Sequence, residues 1–104
     1  MYVKTGNIHP AELQPEINRI SPTLRPDVIN IHWRIGVDVM GSTSVFFNIE
    51  LTDAASQRSR LRDVAQRVTL TLMNELQTDE NGVHAYFNFR SHSEVAAIND
   101  PAWA

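Results

Sequence analysis

Four histidines and twelve carboxylates, with no cysteine, set what chemistry this chain could do. His32, Glu50 and His84 together hold two imidazoles and one carboxylate, the ingredients of a metal site. Glu50 or Asp38 beside His32 would make an acid/base pair. The spacing 32, 50, 84 follows no metal-ligand pattern, so these histidines are expected to be unligated and neither metal nor cofactor is expected. Zero cysteines exclude thiolate ligands, a cysteine nucleophile and a disulfide framework. G-x-S-x-G, H-E-x-x-H, G-x-G-x-x-G and P-loop patterns are absent. No catalytic residue is assigned, and the reading leans away from an enzyme.

The elements that must position these residues are written as alternation. Over 28–39, Ile29, Ile31, Trp33, Ile35, Val37 and Val39 alternate with Asn30, His32, Arg34, Gly36 and Asp38. Over 44–52, Val45, Phe47, Ile49 and Leu51 alternate with Ser44, Phe46, Asn48 and Glu50. Over 83–90, Val83, Ala85, Phe87 and Phe89 alternate with His84, Tyr86, Asn88 and Arg90. Period two is a strand with one buried face. Gly41-Ser42 joins the first two strands as a hairpin. Pairing numbers that sum to 82 sets His32 opposite Glu50 and Gly36 opposite Phe46, with Gly41 central in a three-residue loop.

The even-numbered face is the first candidate site. Arg34, Asn48, Glu50, Tyr86, Asn88 and Arg90 are its candidate binding residues, since they join directed hydrogen bonds to flat surfaces. The plainer reading is a solvated face whose charges pair across strands, and on sequence alone it weighs more.

Two helices accompany the strands. Leu13, Ile17, Ile20 and Leu24 recur at helical spacing, and a short helix is expected within about residues 10–21. Leu61, Ala65, Val68, Leu72 and Leu76 form one stripe of a long helix within 54–77, capped by Thr52 or Asp53, with Leu70 opposite the stripe. Arg58 and Arg62 fall on one flank of this helix and Arg60 and Arg67 on the other. Arg58 and Arg62 are a secondary basic candidate; as stems edging the apolar stripe they need no partner. Arginines at the start and Glu75, Asp79 and Glu80 at the end oppose the helix dipole, so compensation is expected from Asp53, from the acidic hairpin or from a partner.

The 104 residues suffice for one domain, 1–104, with an irregular arm over 1–9 and a loosely ordered tail over 91–104 that has a possible turn near Ser93–Ile98. A net charge of −3 gives no global pull toward nucleic acid. No apolar run is long enough for a membrane span, no signal-peptide core opens the chain, and a cytoplasmic location is the default.

The order α-β-β-α-β predicts an α+β fold. It is a two-layer α/β sandwich whose three-stranded mixed sheet has one face covered by the long helix. Strand order 2-1-3 is preferred over 1-2-3, because antiparallel neighbours are the commoner pairs. So thin a core favours a homodimer. The leading functional expectation is a small non-enzymatic binding or assembly module of unknown ligand, with the role of an accessory to a larger bacterial protein as one form of it. A nucleic-acid-binding module ranks second, stacking on Tyr86 and Phe46 with Arg34 and Arg90 on phosphate. A small metal-dependent hydrolase centred on His32 and Glu50 ranks third.

Overall fold

The computed structural model describes residues 9–104. In chain order these are α1 (Pro10–Ile20), a 3-10 turn (Ser21–Leu24), β1 (Val28–Val37), β2 (Thr43–Leu51), α2 (Leu61–Leu76), β3 (His84–Ser91), α3 (His92–Ile98) and a second 3-10 turn (Pro101–Trp103). The expected α+β fold with a three-stranded mixed sheet is present. The irregular arm expected over 1–9 lies outside the described residues except for His9, which stands at the N-cap of α1.

Face parity is as the alternation predicts over the middle of each strand. An irregularity between Val28 and Asn30, however, buries Val28 in place of Ile29, which is exposed, and Val37 and Val39, expected on the core face, are exposed where the chain runs into the hairpin loop. Val45, Phe47, Ile49 and Leu51 of β2 are buried against Leu13, Ile17 and Ile20 of α1 and Val64, Val68 and Leu72 of α2. Removing each such side chain from water is worth about 1.5–3 kcal/mol. On the edge strands the same parity is only partly buried, at Ile31, Trp33 and Ile35 of β1 and Ala85, Phe87 and Phe89 of β3.

Strand order differs from the expected 2-1-3. It is β1-β2-β3, with β2 central, antiparallel to β1 and parallel to β3. The parallel pair is held by like residues in matching rows. Phe46 meets Tyr86, Phe47 meets Phe87 and Asn48 meets Asn88. The Phe47 and Phe87 rings stack at 5.1 Å. Side-chain pairing of this kind outweighs the general preference for antiparallel neighbours.

Hairpin register is also corrected. Asn30, not His32, lies opposite Glu50, and Arg34, not Gly36, lies opposite Phe46. The loop is longer than the expected three residues because Asp38 organises it: its side chain accepts hydrogen bonds from the Met40 and Ser42 amides, both at 2.9 Å. Gly41 supplies the left-handed residue, at φ 81°.

The long helix starts at Leu61, later than expected, and buries Val64, Val68 and Leu72. Thr52 caps a turn instead, its hydroxyl accepting from the Ala55 amide at 3.1 Å. Residues 91–104 are not a loose tail. Ser91 and Glu94 form a reciprocal capping box at the start of α3, and Asp53 accepts from the Ser93 amide at 3.0 Å.

Candidate functional site: the polar face of the sheet

Across the even-numbered face, each row takes one residue from each strand. Arg34, Phe46 and Tyr86 form one row, His32, Asn48 and Asn88 the next, and Asn30, Glu50 and Arg90 the third. The structure thus gathers five of the six predicted binding residues onto an accessible face and withdraws the sixth, since only 5% of the Glu50 side chain is exposed.

The first row is a closed stack. The Arg34 guanidinium lies 4.1 Å from the centre of the Phe46 ring. On the other side of Phe46, Tyr86 stacks at 5.3 Å with 15° between the rings. Both faces of Phe46 are therefore engaged, by a cation and by a second ring.

Asp38 anchors one end of the face. Tyr86 donates its hydroxyl to Asp38 Oδ2 at 2.8 Å, and His84 Nδ1 lies 3.2 Å from the same oxygen. The Ser42 amide, Tyr86, the Met40 amide and His84 together hold the Asp38 carboxyl down at about 2, against the opposing effect of desolvation. The same bond raises the Tyr86 hydroxyl above its ordinary value, because the neighbouring carboxylate opposes a phenolate.

Glu50 anchors the other end. Asn30 Nδ2 donates to it at 3.1 Å, and His92 Nδ1 lies 2.7 Å from its second oxygen. Hydrogen bonding to Glu50 raises the pKa of His92, with the charges of Glu50 and Asp53 acting in the same sense.

His32, Glu50 and His84 do not converge. His84 aligns with Ser44 and Glu50 with Arg90, six residues apart along β2, or roughly 20 Å of strand. The histidine at Glu50 is His92, supplied by α3. Among the described residues no cluster of three or more His, Cys, Asp or Glu is placed to hold a metal ion.

Residues 100–103 cross the middle of this face. Asn48 Nδ2 donates to the Ala102 carbonyl at 3.2 Å and accepts on Oδ1 from Asn88 Nδ2 at 3.3 Å. Trp103 is buried to 5% exposure, with the Arg90 guanidinium 4.9 Å from its ring centre. Beside this crossing lies a cleft of about 260 Å³, lined by His32, Arg34, Phe46 and Asn48 on the sheet and by Pro101 and Ala102. The Trp103 contact had no signal in the alternation of the strands.

The arginine block divides into the expected pairs, but not by helical phase, since Arg58 lies in the preceding turn and Arg60 at the N-cap of α2. Arg60 and Arg67 both reach Asp27, at 3.1 and 2.6 Å. The acid that meets these arginines is therefore Asp27 and not Asp53, which is taken by Ser93. Asp27 carries no local signal, since it lies 33 and 40 residues from its partners and precedes the first strand. Arg58, in the turn before α2, and Arg62, in its first turn, are exposed.

The geometry is that of a polar surface whose acids are hydrogen-bonded and whose arginines lie against aromatic rings, Arg34 on Phe46 and Arg90 on Trp103. No protein-family model matches the chain, and no curated protein or solved structure was found similar to it.

Proposed function

We propose that this chain is a non-enzymatic binding module whose polar sheet face receives a short segment of a protein partner. The observation that carries the reading is that the face already seats a piece of chain, residues 100–103, folded as a 3-10 turn over Pro101–Trp103. It does so through a main-chain carbonyl on Asn48 and an aromatic side chain on Arg90. A buried aromatic anchor beside directed polar contacts is the usual composition of a binding hot spot. The state of the acids supports a binding role over catalysis. Asp27, Asp38 and Glu50 each hold two or more structural partners.

The nucleic-acid reading draws less support. Phe46 has a neighbour on each face, and Arg90 lies against Trp103, so neither is free for a base or a phosphate.

A second copy of the chain belongs to the same reading. Both edge strands, of 10 and 8 residues, lack the lysines and prolines that commonly blunt a sheet edge. Sedimentation equilibrium should return the mass of two copies; a monomer at millimolar concentration removes the dimer without touching the platform.

The platform is tested by selecting a random-peptide display library on the full chain. Enriched peptides should bind Arg34→Ala and Tyr86→Ala, each verified as folded, at least about five-fold more weakly, the equivalent of about 1 kcal/mol. Binding to Arg58→Ala and Arg62→Ala should be unchanged. No enrichment, or loss confined to the two helix variants, overturns the reading.

A further inference from the structure

We propose that residues 100–103 are a displaceable strap lying in the groove they cover, and that the groove's partner is an acidic peptide segment with an aromatic anchor, of the type Asp-Pro-x-Trp. This rests on the platform reading and names its ligand class.

The strap fits its seat imperfectly. Three buried side-chain polar atoms lack a hydrogen-bond partner among the described residues, and two of them, His32 Nε2 and Arg90 Nη1, lie where the strap crosses the sheet. Arg90 Nη1 comes only to 3.9 Å of Asp100 Oδ2, an ion contact too long for a hydrogen bond. A guanidinium prefers a carboxylate at about 2.7–2.9 Å and often takes it with two bonds. A partner whose acid reaches that distance satisfies a donor the strap leaves open.

The strap can lift without disturbing the helix before it. Its seat is local: the hydrogen bond from Asn48, the long Asp100–Arg90 ion contact and the nearly buried Trp103 ring on Arg90, the last being its main hold, while other bonds are internal, such as the Ala102 amide to Asp100. The preceding helix α3 is fastened separately, by its own capping box, by Asp53 and by His92 on Glu50. Between helix and strap stands Asn99 in the left-handed conformation, φ 56°. Release of the strap therefore leaves α3 in place and exposes Arg90.

Charge selects the occupant. The sheet acids Asp38 and Glu50 are nearly buried and engaged, whereas Arg34 stands exposed at the open cleft and Arg90 is bared when the strap lifts. The uncovered groove thus offers two guanidinium groups to an incoming chain while its two carboxylates are turned to partners of their own, which favours an acidic segment over a basic one.

The probe is a labelled peptide of residues 98–104, Ile-Asn-Asp-Pro-Ala-Trp-Ala, titrated by fluorescence anisotropy into the full-length chain. Trp103→Ala should unseat the strap and bind the peptide at least about ten-fold more tightly than the parent chain. Adding Arg90→Ala should abolish the gain, and a peptide with Asn for Asp should bind about five-fold more weakly. Hydrogen exchange on the unmutated chain decides the case if Trp103→Ala does not fold. The amides of Ala102, Trp103 and Ala104 should exchange at least about 100-fold faster than those of β2, because the strap opens alone. Exchange of the strap together with β2, or a folded Trp103→Ala that ignores the peptide, overturns the proposal. Library peptides that depend on Arg34 while this peptide fails would leave the platform standing and remove only the strap as its internal ligand.

Discussion

Tyr86 and Asp38 are joined across strands that are not neighbours in the sheet: the hydroxyl of edge strand β3 reaches over β2 to the carboxylate of the β1–β2 loop at 2.8 Å. One carboxylate thereby fastens the hairpin loop from within, through Met40 and Ser42, and from across the sheet. Tyr86→Phe keeps the ring on Phe46 and loses only this bond, so its urea midpoint should fall. Asp38→Ala should fall further, because it also frees two loop amides. Equal midpoints for the two variants would show that the cross-sheet bond carries the whole effect.

Opposite pH dependences are expected at the two ends of the face. The folded pKa of Asp38, about 2, lies below its ordinary value of 3.8. Its contribution is therefore complete above about 4 and is lost as pH falls toward 2. The pKa of His92 is raised above 6.5 by Glu50, so its contribution is complete below 6.5 and is lost as pH rises through the raised value. Urea midpoints against pH should lose the acid-side decline in Asp38→Asn and the decline toward higher pH in His92→Gln.

Position in the sheet should grade the cost of aromatic truncation. Phe47 is fully buried on the central strand, and Phe47→Ala should cost about 3–5 kcal/mol. Trp33 shares its parity but sits on edge strand β1, partly buried, with Nε1 donating to Gln14 at 2.7 Å. Trp33→Ala should cost about half as much, roughly 2 kcal/mol, by the same cavity argument. Denaturant unfolding of the two variants checks the ranking, and a reversed order would place the core elsewhere.

Asp27 is nearly buried between two half-exposed guanidinium groups. Asp27→Asn keeps the shape and removes the charge, and should cost about 1–2 kcal/mol through its charged hydrogen bonds. Arg60→Ala and Arg67→Ala should each cost less, since either leaves the carboxylate one partner. Thermal unfolding of the three variants gives the comparison.

Period-two alternation divided core from polar face over the middle of the strands, because burial there acts on every second residue, and failed at Ile29, Val37 and Val39, where an irregularity and the hairpin loop end the buried stretch. Helical phase could not place Arg58 and Arg60, which precede the helix. Strand order was less legible, since it depends on matching one strand to another. The signal was present as Phe46-Phe47-Asn48 repeated in type by Tyr86-Phe87-Asn88, 40 positions on, and these residues pair row for row. Register failed because Asp38 was read as a face residue when it is a loop organiser. The candidate metal trio failed with it, and His92 took the place assigned to His32. Trp103 and Asp27 have partners 13 or more residues away and belong to no periodic run.

The placement of β2 between a close neighbour and a distant one orders the assembly of the fold. Its pairing with β1 closes a short loop, whereas its pairing with β3 joins positions 40 residues apart and waits for α2 between them. Contacts separated that far in sequence form slowly, because the entropy of closing the loop is lost before the contact returns anything. During that interval the second edge of β2 stands open beside Val45, Phe47, Ile49 and Leu51, a run with strong strand propensity and one charge in Thr43–Leu51. The chain is most prone to aggregate at this stage, and what ends the hazard is the arrival of Phe87 and Asn88.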